Sequence, residues 1–530
     1  QWLIAKYNDT IINLEHEGIK ASSFSRGHRF LNNHDIEIES GETYEKQLAE
    51  VNVIADQQKR KEAVANAIEK AVANSDFATK GKVFIDDDLL DIVTNLVENP
   101  FGICGRFNEK FLELPDEVLI TSMKVNQKYF PIVNDKGELL AGFVAVNNTK
   151  TENEEITRQG HERVLRARLE DALFFFKSDQ GRRQDNLIPE LEGIIFQAQL
   201  GTMFEKSERL VKLTRMLSEM LAPDLVDDSS RAALLCKTDL LSDMVGEFPS
   251  LQGVMGKAYA ELGGEKSEVA LAISEHYMPK RAGAEVPTEP LGALVGMADR
   301  LDTLVGCFGI QQVPTGTADP FGLRRISLAL LQIVAKYKFR FSLREVVHKA
   351  LALYGDKVDG SSETVNNVIS FIKERYRNDC IAKGLNPEAV AAVTAVVFDE
   401  IIDSTLRIEA LSTLKTNPSF NILASSFKRI KNIIKDNDSN EVKEGLLAEP
   451  AEKNLNRLLN EVRDQMQPML EEKNYLGALE YFLKLKEPVD TFFDEVMVMT
   501  DDEELRQNRL NLLTALSELV LNIGDISKMQ

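Results

Sequence analysis

The stretch Ile156-Thr-Arg-Gln-Gly-His-Glu-Arg-Val-Leu-Arg-Ala-Arg-Leu-Glu-Asp-Ala-Leu-Phe-Phe-Phe-Lys177 is where the chain changes its periodicity. Leu165, Leu169, Ala172 and Phe176 recur at i, i+4, i+7 and i+11, which is one apolar stripe of a long helix. Upstream the material is strand-like: Val118 to Met123 and Tyr129 to Val133 are apolar or β-branched, and the turn cluster Asn134-Asp-Lys-Gly137 leads into Glu138 to Val146. Tyr129–Val133 and Glu138–Val146 therefore read as a hairpin in a mixed α/β region. Downstream, helical patterning dominates. Breaks fall at Gly181 to Asn186, at Gly263-Gly264, and at Ala282 to Pro290, while Lys435 to Asn440 with Asp436 and Asp438 reads as a linker before a last acidic module.

Composition narrows the function classes. The 530 residues carry 63 Lys and Arg against 84 Asp and Glu, a net charge of −21, which excludes a uniformly basic nucleic-acid binder. A chain this long is expected to hold several domains, and 43% hydrophobic with 28% charged residues is ordinary for globular protein. Cys104, Cys236, Cys307 and Cys380 are far apart with no C-x-x-C pair, so neither a zinc site nor a disulfide framework is expected, and a reducing, cytoplasmic setting fits. No apolar run long enough to span a bilayer and no export signal are apparent, and a start at Gln1 is expected to mean a missing natural N-terminus.

Little chemistry of a nameable kind is present. Gly256-Lys257 precedes Ala rather than Ser or Thr, so there is no phosphate loop; G-x-G-x-x-G, G-x-S-x-G and H-E-x-x-H are likewise missing. Ser274-Glu-His-Tyr277, Gly283 and Met297-Ala-Asp-Arg-Leu-Asp302 resemble the second half of an HD-type phosphohydrolase. A metal that activates water needs three or more side-chain ligands. Where the central His-Asp pair belongs, the chain has Cys236-Lys237, a cation in a ligand's place, so the segment reads as an HD-like domain without its metal. A hydrolase using His276 and Asp299 remains the rival.

Charge is locally uneven. Ser404 to Lys435 is net +5, with Lys428, Arg429 and Lys431 close together, and Arg158 to Arg183 is net +3. Such stretches are either solvated faces or polyanion contacts; Phe420 and Phe427 beside the first are either base-stacking surfaces or core. Asp319 is expected to cap a helix that starts at Pro320, placing Arg324 and Arg325 where they hold an RNA phosphate or pair internally. Near the C-terminus, Thr500-Asp-Asp-Glu503 reads as a capping box, Leu505, Leu512, Leu516 and Leu519 as a buried stripe, and Arg506 with Arg509 as a separate face.

Phe492-Phe-Asp-Glu-Val-Met-Val498, Asp501-Asp-Glu-Glu-Leu-Arg-Gln-Asn-Arg-Leu510 and Ile523-Gly-Asp-Ile-Ser527 resemble the DALR-type anticodon-binding helical domain of aminoacyl-tRNA synthetases. One such family, the β subunit of the bacterial heterotetrameric glycyl-tRNA synthetase, is similar in order from about residue 25 to the end. Its patterns are recognisable in Gly27-His-Arg-Phe30, Asn126-Gln-Lys-Tyr-Phe-Pro131, His161-Glu-Arg-Val-Leu-Arg-Ala-Arg168, Met244-Val-Gly-Glu-Phe-Pro-Ser-Leu-Gln-Gly253, Glu275-His-Tyr-Met-Pro279, Ala298-Asp-Arg-Leu-Asp-Thr-Leu304 and Pro314-Thr-Gly316. Two departures stand out: the family's portion before Gly27 is expected to be cut short, and Asp-Ala-Leu-Arg is written Glu503-Glu-Leu-Arg506.

The resemblance implies a mainly α, multidomain chain: a B3/B4-like α/β region over 1–152, a connecting long helix over 153–185, an HD-like helical domain over 186–340, a helical body over 341–440, and the anticodon-binding domain over 441–530. It implies a β subunit that binds tRNA(Gly), with no DNA or membrane partner, beside a separate α subunit in an α2β2 assembly. Glycine activation with ATP and Mg²⁺ is expected on α, with no catalytic residue, metal or cofactor on this chain. Arg506, Arg509, Lys428, Arg429, Lys431, Arg324 and Arg325 are the candidate tRNA contacts. The alternatives are the HD-type phosphohydrolase and a helical adaptor without RNA affinity.

Overall fold

The computed structural model describes residues 2–435 and 437–529, and divides into two compact units. The first comprises residues up to Arg183 together with Asp239–Leu262; the second comprises Gln184–Thr238 and the chain from Gly263 on. The expected 186–340 domain is thus interrupted by a segment that belongs to the first unit, and the expected cuts at 340 and 440 do not separate compact units.

The first unit is built on an antiparallel sheet of β1 (Lys82–Val83), β2 (Phe101–Arg106), β3 (Phe130–Val133) and β4 (Leu139–Asn147), in the order β1-β3-β4-β2. The hairpin β3–β4 forms as expected. Asn134 Oδ1 accepts from Lys136 N and Glu138 N, both at 2.9 Å, and Gly137 takes φ +85°. Strand alternation makes two layers. Phe130, Ile132 and Val144 pack on α1 (Gln57–Ala73) and α2 (Asp87–Leu96) through Val64, Ile68, Leu89 and Val93. From the opposite face, Tyr129, Val133, Phe143 and Ala145 meet the stripe Leu165, Leu169, Ala172 and Phe176 of α3 (Glu154–Gln180) and the aliphatic and aromatic side chains of residues 244–259. The stripe is buried as the periodicity requires. Val118–Met123 is not a strand: after Pro115 the acids Asp116 and Glu117 start a helix, Asp116–Thr121, and Val118, Leu119 and Met123 are buried. β-branched content misleads there because the core contact, not intrinsic propensity, decides the conformation.

The second unit is helical. Its first part comprises α4 (Met203–Leu221), α5 (Val226–Leu235), α6 (Ser267–Glu275), α7 (Pro290–Gly309) and α8 (Leu323–Tyr337). α4 opens with a full capping box between Thr202 and Glu205, and α7 is buried on nearly every side. Further helices lead to α9 (Pro418–Ile433), α10 (Pro450–Glu471) and α11 (Glu503–Leu521). The expected linker 435–440 is not free: Asp436 lies outside the described residues, but Asn437 Nδ2 donates to Thr514 Oγ1 at 2.8 Å and Asn511 Nδ2 donates to Glu441 O at 2.7 Å. Lys443 N and Asn508 Oδ1 are 2.7 Å apart in the same seam. Among the described residues no helix is long and apolar enough to cross a membrane.

Close approach of α1 to the sheet depends on Gly102, where a Cβ would stand 2.2 Å from Ala67 O. Gly102→Ala is expected to cost about 1–3 kcal/mol of stability, since backbone must move to admit the methyl; urea denaturation of the full chain measures it.

Candidate nucleic-acid interface

The HD-like centre lies between α4, α5, α6 and α7. α5 ends at Leu235, which places Lys237 inside the bundle, 3% exposed. Its Nζ donates to Asp299 Oδ2 at 2.9 Å and to His276 Nε2 at 2.8 Å, over the Tyr277 ring. Because an ammonium only donates and Ile273 O, 2.6 Å from Nδ1, only accepts, His276 is the neutral Nδ1–H tautomer. A second cation closes the cluster: Lys206 Nζ lies 2.8 Å from Asp299 Oδ1 and 3.0 Å from Asp302 Oδ2, and Arg209 Nε donates to Asp302 Oδ1 at 2.7 Å. Burial would raise the Asp299 carboxyl, but Lys206 and Lys237 hold it well below the usual range. Burial likewise opposes the charge of Lys237, and Asp299 overrides it, so the ammonium stays protonated.

This donor set does not fit a divalent ion. The carboxylates are engaged by ammonium and guanidinium groups, and among the described residues no three His, Cys, Asp or Glu side chains converge. Arg300, lowered to about 10 by burial, donates to the carbonyls of His276, Met278 and Gly296 at 2.8, 2.7 and 2.9 Å, fixing the turn that carries the histidine. The site is an electrostatic staple between helices.

The candidate RNA contacts divide by accessibility. α11 begins later than expected: Asp502, not Thr500, caps it by accepting from Leu505 N at 3.1 Å, and Leu505 is only half-buried while Leu512, Leu516 and Leu519 are buried. Arg506 is half-exposed, donates to Thr500 O at 3.3 Å and lies 3.6 Å from Glu503. Arg509 does not share an open face with it. It is 5% exposed, paired with the fully buried Glu452, and donates to Met497 O at 2.8 Å. The helix is covered on that side as well, which the leucine spacing alone did not indicate.

On α9, Lys428 and Arg429 are exposed, and the Arg429 guanidinium lies 4.2 Å from the half-buried Phe493 ring centroid. Lys431 is also exposed but pairs with Asp525. Phe420 and Phe427 are core, so the aromatic beside these cations is Phe493, which sequence reasoning missed. The signal was the pair Phe492-Phe493: neighbours on a helix point about 100° apart, and with Phe492 buried Phe493 must emerge at the rim. Helix α8 starts at Leu323 rather than Pro320. Asp319 still caps it, accepting from Leu323 N at 2.8 Å and Arg324 N at 3.0 Å, because Gly322 at φ +66° folds the chain back. Arg324 donates to Gly316 O at 2.7 Å, whereas Arg325 is exposed. In the basic stretch of α3, Arg158, Arg168 and Lys177 pair with Glu155, Glu247 and Glu113.

A helical C-terminal module with arginine and lysine at its rim, in one chain with a helical domain whose carboxylates are held by ammonium and guanidinium groups, sets the frame in which the chain's relatives are compared. Residues 423–527 match the DALR anticodon binding domain, and residues 1–395 match the family described as glycyl-tRNA synthetase beta subunit. The chain belongs to that family. Proteins named glycine–tRNA ligase beta subunit from Geobacter sp. (strain M21), Citrifermentans bemidjiense and Geobacter metallireducens are 41%, 40% and 40% identical to it, over 100% of this chain and 76% of each relative.

Two measurements test the buried charges. Arg509→Met leaves Glu452 buried without its cation and is expected to destabilise the protein by about 3–5 kcal/mol in denaturant unfolding. Burial first, and then Lys237, holds His276 well below the ordinary histidine value. The unfolded chain thus takes up a proton below about pH 6.5 that the folded chain refuses, so this contribution to stability is intact above that pH and falls as pH drops. Urea midpoints between pH 6.5 and 5 are expected to show a slope steeper by up to about 1.4 kcal/mol per pH unit than in His276→Gln.

Proposed function

We propose that this chain is the tRNA-gripping β subunit in the reaction of ATP, glycine and tRNA(Gly) to AMP, pyrophosphate and glycyl-tRNA. In this reading glycine activation, with its ATP and Mg²⁺, belongs to a separate α subunit, the two chains assemble as α2β2 in the cytoplasm, and this chain contributes affinity and positioning. The observation that carries the reading is the cation pair Lys428 and Arg429, exposed on α9 beside Phe493 within the DALR-matched segment. A guanidinium over an aromatic ring at a rim offers both charge for a phosphate and a flat face for an unpaired base.

Arg506 and Arg325, which keep access to solvent, are secondary contacts; Arg324 and Lys431 reach RNA only by exchanging internal partners. Arg509 is assigned to the scaffold. The net charge of −21 does not oppose this, since at physiological salt charges further than about 8 Å from a phosphate are largely screened.

Mixing this chain with the α subunit and tRNA(Gly) is expected to give glycylation only when both chains are present; activity from α alone would overturn the reading. Lys428→Ala with Arg429→Ala is expected to weaken tRNA binding and to reduce the slope of log affinity against log salt by about 2. An unchanged slope would remove these two residues from the interface.

A further inference from the structure

The sheet of the first unit ends at β2, whose strand partner is β4 alone among the described residues. Register assigns each backbone group of β2 a side. Phe107 N donates to Ala141 O at 3.1 Å, toward β4, and the alternation of an antiparallel ladder then turns Gly105, Ile103 and Phe101 the same way. Arg106, Cys104 and Gly102 direct their N–H and C=O groups outward. Arg106 N is met by Glu162 Oε1 at 3.0 Å, whereas the outward N–H and C=O groups of Gly102 and Cys104 have no hydrogen-bond partner among the described residues.

This row does not lie on open surface. It floors a groove of about 710 Å³ walled by the end of α1 and the start of α3. Natural proteins blunt such edges with bulges, prolines or covering elements, and here the flanking helices leave the edge accessible instead. The six residues of β2 give roughly 20 Å of strand at about 3.3 Å per residue. Arg158 adds an unmet donor at the wall: its Nε is buried, makes no hydrogen bond and lies 3.9 Å from Glu162.

We propose that β2 is a docking edge, and that in the assembled ligase an extended segment of the partner subunit adds to it as a fifth strand. Donors and acceptors that alternate along a strand are matched by another extended backbone. A polyanion is disfavoured on two counts: phosphates satisfy N–H groups but not carbonyls, and the groove presents four acidic side chains against four basic ones. The partner's identity rests on the ligase-subunit reading; the edge geometry does not.

Hydrogen exchange on the full chain, alone and in complex with the α subunit, tests the proposal. The peptide spanning residues 101–106 is expected to exchange at least tenfold more slowly in the complex. Cys104→Pro removes one outward N–H at an edge position where proline is tolerated, and is expected to weaken association with α at least tenfold, whereas Cys104→Ala leaves it unchanged. Unaltered exchange of residues 101–106 in a complex that forms and glycylates tRNA would overturn the edge while leaving the ligase reading intact. Exchange already slow in the isolated chain would overturn it equally. The wild-type comparison decides even if the proline variant folds poorly.

Discussion

A lysine ammonium at the centre of a helical bundle is the constraint around which the second unit is arranged. Lys237 is almost wholly buried, so its charge must be met inside, and Asp299 on α7 and His276 at the end of α6 meet it. The same aspartate is shared with Lys206, and Asp302 then draws in Arg209. These side chains form one connected network in which the cations are covalently part of the chain. The histidine and the aspartates of the bundle are partners to ammonium groups.

The same economy of charge governs the C-terminal module. Arginines there serve two purposes that look alike in the sequence. Arg509 neutralises Glu452, whose other oxygen accepts from Ala448 N and Glu449 N at the start of α10, so it joins two helices. Arg429 is exposed at the rim, over the Phe493 ring. An acidic protein can thus offer cationic contact points without a basic surface overall, because neighbouring carboxylates engage the cations needed for architecture and leave a few others accessible.

Much of this was legible in the residues. The leucine stripe of α3, the β3–β4 hairpin and the cation at position 237 all stand where local patterning places them, because each depends on contacts close in sequence or on one residue's chemistry. The Asp116–Thr121 helix, the cap at Asp502 and the burial of Arg509 did not show, since each depends on what packs against it from afar. The excursion of residues 239–262 into the first unit is of the same kind: Met244, Val245, Phe248, Leu251 and Met255 are ordinary apolar residues, and nothing in their spacing says which core they complete.

The amide seam on α11 ties biosynthesis to architecture. Asn508, Asn511 and Thr514 hold a stretch of chain synthesised 65 to 77 residues earlier. Until α11 has left the ribosome, residues 437–443 lack their partners Asn508, Asn511 and Thr514, and Glu452 lacks Arg509. The anticodon-type module therefore gains these contacts only once α11 is synthesised, so its segments close on one another late in translation.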